Sequence, residues 1–200
     1  MPKTDPAREA LLTALEASGV SIPLWDGILI EETVRIAPGA TILPGCVLRG
    51  NTTIAAGSVI GPGSVLTDAV IGKNCTVKNT YITESTLEEN VSIGPFSQVR
   101  PGCHIAAGCK IGDFVEVKNS HIGQKTAIAH LTYVGDTDCG SGVNFGCGVA
   151  IANFNGKEKF RTTIGDGAFL GCNTNLVAPV TIGAGSYTAA GATVTRDVPE

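Results

Sequence analysis

The sequence predicts an all-β chain wound as a parallel β-helix of stacked coils, with a short helix capping its N-terminal end. Three observations carry this. An aliphatic residue returns at every sixth position through Ile30, Ile36, Ile42, Leu48, Ile54, Ile60 and Leu66. It resumes at Ile71, Val77, Ile82, Leu87, Ile93, Val99, Ile105, Ile111 and Val117, then at Ile122, Ile128, Val134, Ile164, Leu170, Leu176 and Ile182. Glycine often follows it, as at Gly61, Gly72, Gly94, Gly112 and Gly165. Glycine makes up 26 of the 200 residues, while aromatics are only 5%. A period of six fits neither a 3.6-residue helix nor a two-residue alternation. It is the signature of hexapeptide repeats, each one short strand and one turn. Glycine makes the tight turns, and a narrow core takes Ile, Val and Leu better than rings.

The elements follow in order. Residues 5–18 (DPAREALLTALEAS) read as one helix, with Asp5 as cap, Pro6 in the first turn and Gly19 as the stop. Ala10, Leu11, Ala14 and Leu15 supply its apolar stripe, which covers the first coil. Trp25, the only Trp, seals that junction. The chain divides into a cap over 1–27 and a β-helix over 28–200. Three hexapeptides make one coil, so rungs repeat every 18 residues and the chain holds about nine coils. Contractions by one residue at 66→71, 77→82, 82→87, 117→122 and 134→139 imply altered turns, not lost coils. The one large interruption is a loop at 152–163 that carries Lys157, Lys159 and Arg161. Clustered cations on an excursion mark a binding face, since loops carry function. The competing reading is a solvated hairpin tip.

Composition excludes several classes. A net charge of −4 draws the chain to neither nucleic acid nor an anionic membrane. No apolar run approaches the ~18 residues of a membrane span. The N-terminus (MPKTDPAREALL) lacks a basic-then-apolar leader, so a cytoplasmic location is expected. The seven Cys suggest no disulfide framework. Cys46, Cys75, Cys103 and Cys109 each lie two residues before an inward aliphatic, in phase with Ser58, Ser64 and Ser97, so they read as small buried corner residues.

Segment 94–160 breaks the monotony with GPFSQVRPG, GDFVEVKNS, AHLTYVGD and GVNFGCGVAIANFNGKEKF. Together with TTIGDGAFLGCNTNLVAPVTIGAGSYTAAGATVTRDV, these strings resemble, closely and in order, one family domain. It is the C-terminal acetyltransferase domain of the bifunctional N-acetylglucosamine-1-phosphate uridyltransferases/glucosamine-1-phosphate acetyltransferases. The resemblance is strong over about residues 93–198; residues 28–92 match only as generic repeat. It implies a left-handed coil, a homotrimer, a small-molecule acceptor, acetyl-CoA as co-substrate and no metal. The family's uridyltransferase region and its basic C-terminal arm have no counterpart in these residues, so no uridyltransferase activity is expected of them.

The resemblance makes His130 the general base. Chemistry agrees, since acetyl transfer needs a neutral amine and a His can take its proton. A zinc reading needs His104, His121 and His130 on one edge. The first two lie nearly one coil apart, but His130 sits half a coil further on. Arg100, Lys118 and Lys159 match the family's sugar-phosphate contacts. Arg100 and Lys118 are 18 apart and should stack on adjacent rungs. Arg offers a fork and Lys a point charge. Tyr133 and Asn144 match sugar-binding positions. Glu116 matches a carboxylate near the reacting centre, which orients the amine or pairs with Lys118. On the acetyl-CoA side stand Cys147, through its backbone N–H, then Asn153 and Ala190. Phe154 stands where the family has Tyr, and Cys172 where it has Ser. The expected activity is acetyl-CoA-dependent N-acetylation of an amino-sugar phosphate, glucosamine 1-phosphate first. The rivals are another amine or nucleotide-sugar acceptor, or a non-catalytic nucleotide-sugar-binding scaffold.

Overall fold

Among the described residues, twenty-eight strands, most of two residues, stack into three parallel sheets around one narrow core. They are seen in a computed structural model that describes residues 5–200; the first four residues of the cap, where the N-terminal leader was sought, lie outside the described residues. Each coil visits the three sheets in turn. Sheet I has ten strands, from Leu29–Ile30 to Thr193–Val194, and sheets II and III have nine each, beginning at Arg35–Ile36 and Thr41–Ile42. Strands pair with the next coil and not with their sequence neighbours, so the expected coil count holds.

The register explains the hexapeptide rule. Val99 sits over Val117 and Val117 over Val134 in sheet I, while Leu87, Ile105 and Ile122 stack in sheet II. Most strands thus point one aliphatic side chain into a column of its own kind, almost wholly out of water, while Cys139, Phe145 and Thr188 take the inward place on three of them. Burying such a side chain is worth about 1.5–3 kcal/mol. The small phase behaves as read. Cys46, Cys75, Cys103 and Cys109 are buried, as are Ser58, Ser64 and Ser97. Ser58 Oγ donates to Gly72 O at 2.7 Å and Cys109 Sγ to Gly123 O at 3.0 Å, so these groups bond carbonyls at the coil corners.

Each contracted turn contains one non-glycine residue in the left-handed region: Asp68, Asn79, Glu84, Asn119 and Asp136, with φ between +43° and +51°. Uncontracted turns carry a left-handed residue too, as at Gly39, Gly45, Asn74 and Asn90. Among non-glycine residues Asn and Asp tolerate this conformation best, and they fill four of the five contracted sites.

The cap needs one correction. Helix α1 spans Pro6–Ala17, and Asp5 accepts from Ala7 N and Arg8 N as expected. Its buried face, however, is Leu12 flanked by Arg8, Leu11 and Leu15, while Ala10 and Ala14 face solvent. The helix is turned so that Arg8 reaches the open end of the solenoid. Arg8 Nε donates to Ile28 O at 2.8 Å and Nη2 to Trp25 O. Among the described residues no coil precedes these carbonyls to pair them as the next coil does elsewhere, and a buried unpaired carbonyl is costly. Trp25 packs half-buried against the core at this junction.

Candidate functional site

The corner leading from sheet III to sheet I holds one residue per coil in a column: Asp113, His130, Cys147, Cys172 and Ala190. Each turn bonds the next. Leu131 N donates to Asp113 O, Gly148 N to His130 O, Asn173 N to Cys147 O and Gly191 N to Cys172 O, at 2.7–3.1 Å. Asp113 Oδ1 reaches His130 Nδ1 at 2.6 Å. His130 and Leu131 have φ of +63° and +55°, the one place among the described residues where two consecutive non-glycine residues are left-handed. Such backbone is strained and clusters at functional sites. The Asp113 carboxyl is held below its ordinary range by its own backbone amide and then by the His130 ring.

Sheet I carries the polar face beside this corner. Glu116 lies beside Gln98 on one rung and Tyr133 on the next. Arg100 follows Val99 directly and so lies one rung from Lys118, as the 18-residue spacing requires. Arg100 Nη1 pairs with Glu116 Oε1 at 2.9 Å, and that partner raises the guanidinium further. Glu116 therefore pairs with Arg100 and not with Lys118.

Lys118 turns instead to Asp136, with Nζ 3.0 Å from Oδ2. Asp136 is nearly buried, its side chain 7% exposed. It accepts from Asn119 Nδ2 at 2.6 Å and from Asn153 Nδ2. Burial alone would raise its carboxyl, but the donors from Asn119, Lys118 and Asn153 outweigh burial and lower it. Burial likewise works against the Lys118 ammonium, and Asp136 reverses that. Asn153 Nδ2 also reaches Tyr133 Oη at 3.4 Å.

The inserted loop is a hairpin at the corner between sheets I and II. Phe154 bridges Lys159, Phe160 N donates to Asn153 O at 2.8 Å, and Asn155 Oδ1 caps the tip. The hairpin-tip reading was right about its shape, yet the base is built in. Arg161 forks onto Asp138 at 2.6 and 2.8 Å, so this cation anchors the loop. Lys159 returns over sheet I close to Lys118. Repulsion from Lys118 first, and from Arg100 more weakly, lowers its ammonium.

The structure thus brings Arg100, Lys118 and Lys159 together, with Tyr133 and Glu116 on the same face and His130 at its edge. Asn144 lies on sheet III, on the other flank of the corner, between Ala127 and Phe169. Cys147, Cys172 and Ala190 share the His130 column. Asn153 and Phe154 do not join them. They sit across sheet I, with the Asn153 amide spent on Asp136 and Tyr133 and Phe154 exposed. His104 and His121 stack on sheet II, ring centroids 6.2 Å apart, with His104 Nε2 3.1 Å from Glu88. His130 stands at another corner, and the described residues hold no cluster of three metal-binding side chains. Sequence reading missed Asp113 and Asp136. Both carried a signal, lying 17 residues before His130 and 18 after Lys118, one coil in each case.

Fold and site together define a class: a hexapeptide β-helix bearing a polar site on the outer face of one sheet and its flanking corners. The family model of bacterial transferase hexapeptides (six repeats) matches residues 33–68, 84–119 and 161–196, more than half the chain. The chain belongs to that family. It is 46% identical over 193 residues to the bifunctional protein GlmU of Brevibacillus brevis, covering 96% of this chain and 42% of that protein. It is 49% identical over 175 residues to the bifunctional protein GlmU of Clostridium acetobutylicum, covering 88% and 38%. The chain spans about two fifths of the length of these curated relatives. No helix among the described residues is long and apolar enough to cross a membrane.

Proposed function

We propose that this chain transfers the acetyl group of acetyl-CoA to the amine of an amino-sugar phosphate, glucosamine 1-phosphate in the first instance. One arrangement carries the reading: the Asp113–His130 pair at 2.6 Å edges a sheet face whose far edge gathers Arg100, Lys118 and Lys159.

With Nδ1–H donated to Asp113, His130 presents Nε2 as the acceptor for the amine proton. The phosphate would lie against the three cations. Arg100 and Lys118 already hold carboxylate partners, so among the described residues Lys159 is the one of the three without a salt bridge. The acceptor also carries an amine, which Glu116 can receive when phosphate engages Arg100. Tyr133 and Asn144 would hold the sugar. At the corner, Gly148 N–H is taken by His130 O at 3.1 Å, which leaves the Cys147 N–H to stabilise the tetrahedral oxyanion. No step calls for a metal.

Acetyl-CoA would run along the Cys147, Cys172 and Ala190 column. Asn153 and Phe154 stand a strand's width away, about 10 Å for three residues. This supports a homotrimer in which the hairpin of one copy meets the column of another. Exposed Phe96, Phe114 and Leu131 beside that column add apolar surface for such contact. A cytoplasmic location belongs to the same reading.

A thiol-release assay with acetyl-CoA against a panel of amino-sugar phosphates and nucleotide sugars tests it. Release with glucosamine 1-phosphate is expected. Nucleotide-sugar binding without release from any acceptor would replace the enzyme with a scaffold.

A further inference from the structure

The seven cysteines divide sharply. Cys46, Cys75, Cys103, Cys109 and Cys139 are buried within the coils, and burial pushes their thiols up, Cys139 to about 12. Cys147 is half-buried and Cys172 exposed. These two occupy the same place in successive turns of one corner. Each follows a glycine and precedes a left-handed residue, Gly148 at φ +75° and Asn173 at +56°. The turns are in close contact: Asn173 N donates to Cys147 O at 2.7 Å, and a Cβ on Gly146 would lie 2.5 Å from Cys172 N. Rungs are spaced at about 4.8 Å. Disulfides bridge Cα atoms about 4.4–6.8 Å apart. Side chains from adjacent turns of this column do meet, as Asp113 and His130 show at 2.6 Å.

We propose that Cys147 and Cys172 form a redox-active thiol pair, which hydrogen peroxide closes to an intramolecular disulfide. One sulfur attacks the peroxide, the O–O bond breaks, and a sulfenic acid and water form. The second sulfur displaces the sulfenic oxygen, giving the S–S bond and a second water; the two thiol hydrogens leave in the waters. Parallel stacking holds the Cβ atoms near the rung spacing, slightly beyond the usual ~3.5–4.5 Å for a disulfide. The two turns must therefore lean together by a few tenths of an ångström, at a corner where Cys172 is exposed and Cys147 half-buried. Resting on the acetyl-transfer reading, closure would block the column assigned to acetyl-CoA and switch transfer off. Cys172 stands where the resembling family has Ser, so the resemblance does not imply the pair.

The full chain is treated with hydrogen peroxide, quenched by alkylation and mapped by peptide mass. The expected product is a single Cys147–Cys172 cross-link within one chain, two hydrogens lighter and reversed by dithiothreitol, with the five buried cysteines alkylated only after unfolding. Separate oxidation of the two thiols to sulfinic acids, or a link between chains, overturns the proposal. Cys172→Ser and Cys147→Ala should form no link. Whatever its own rate, Cys172→Ser should keep that rate through peroxide exposure, while the parent loses transfer and regains it on reduction. A link in a chain that never transfers acetyl would sink the acetylation reading and leave the thiol pair standing. Normal transfer with no link would sink the thiol pair alone.

Discussion

Asp113 Oδ1 lies 2.6 Å from His130 Nδ1, one coil away and 17 residues apart in sequence. With the Asp113 carboxylate as acceptor, the contact places the proton on Nδ1, and on the proposed reading this turns an exposed histidine into an aimed base. His130→Ala should abolish acetyl transfer without unfolding the chain, because the side chain is 60% exposed and lies off the inward phase. Losing a general base costs about 10²–10⁴ in rate. Near-parental kcat would remove His130 from that role.

Asp113→Ala should lower kcat about ten- to a hundredfold, the value of a hydrogen bond to a charged group at roughly 1.5–3 kcal/mol. KM for the acceptor should stay near the parental value. Asp113→Asn should recover part of the rate, since its carbonyl oxygen can accept the same Nδ1–H. Equal loss in both variants, or a change confined to KM, would argue against positioning.

Neutralising Arg100, Lys118 or Lys159 should raise KM or Kd for the phosphorylated acceptor about ten- to a hundredfold, by the same energetics. Binding of CoA should change far less. Arg100→Lys should also suffer, because a point charge does not reproduce the fork. Separate titrations with acceptor and CoA decide the matter: parallel loss of both ligands would mean general disruption, and no loss would make these ordinary surface cations.

Asp136→Ala should loosen the hairpin and destabilise the fold. It leaves Lys118, whose side chain is only 16% exposed, without its partner. Breaking a buried pair costs roughly 3–5 kcal/mol, and solvent access at Lys118 brings this down to about 2–3 kcal/mol. The folded carboxyl is lowered, so its contribution is fully present above the unfolded carboxylate value of about 3.9 and is lost as pH falls through the lower folded value. Urea melts of parent and variant should therefore differ at pH 7 and converge at strongly acidic pH. A constant gap across that range would mean the charge is not what stabilises the corner.

Ile105→Asp should damage folding far more than any ligand site. Ile105 is fully buried between Leu87 and Ile122 on adjacent rungs. An unpartnered charge there costs several kcal/mol. Normal thermal stability would mean that the stacking register is wrong.

The sequence by itself determined the repeat, the inward columns, the small corner phase and the shortened turns. A six-residue period maps each position to one place on the coil, so Arg100 above Lys118 could be counted directly. Tertiary structure alone decided how neighbouring columns share their partners. Spacing left Glu116 free to pair with Lys118, but the side chains gave it to Arg100 and gave Lys118 to Asp136. The rotation of α1 was likewise set by Arg8 meeting open carbonyls and not by the Ala and Leu pattern. Periodicity fixes where a Cβ points. Which charge meets which depends on side-chain reach, burial and the hairpin that folds back over the face, and none of these is periodic.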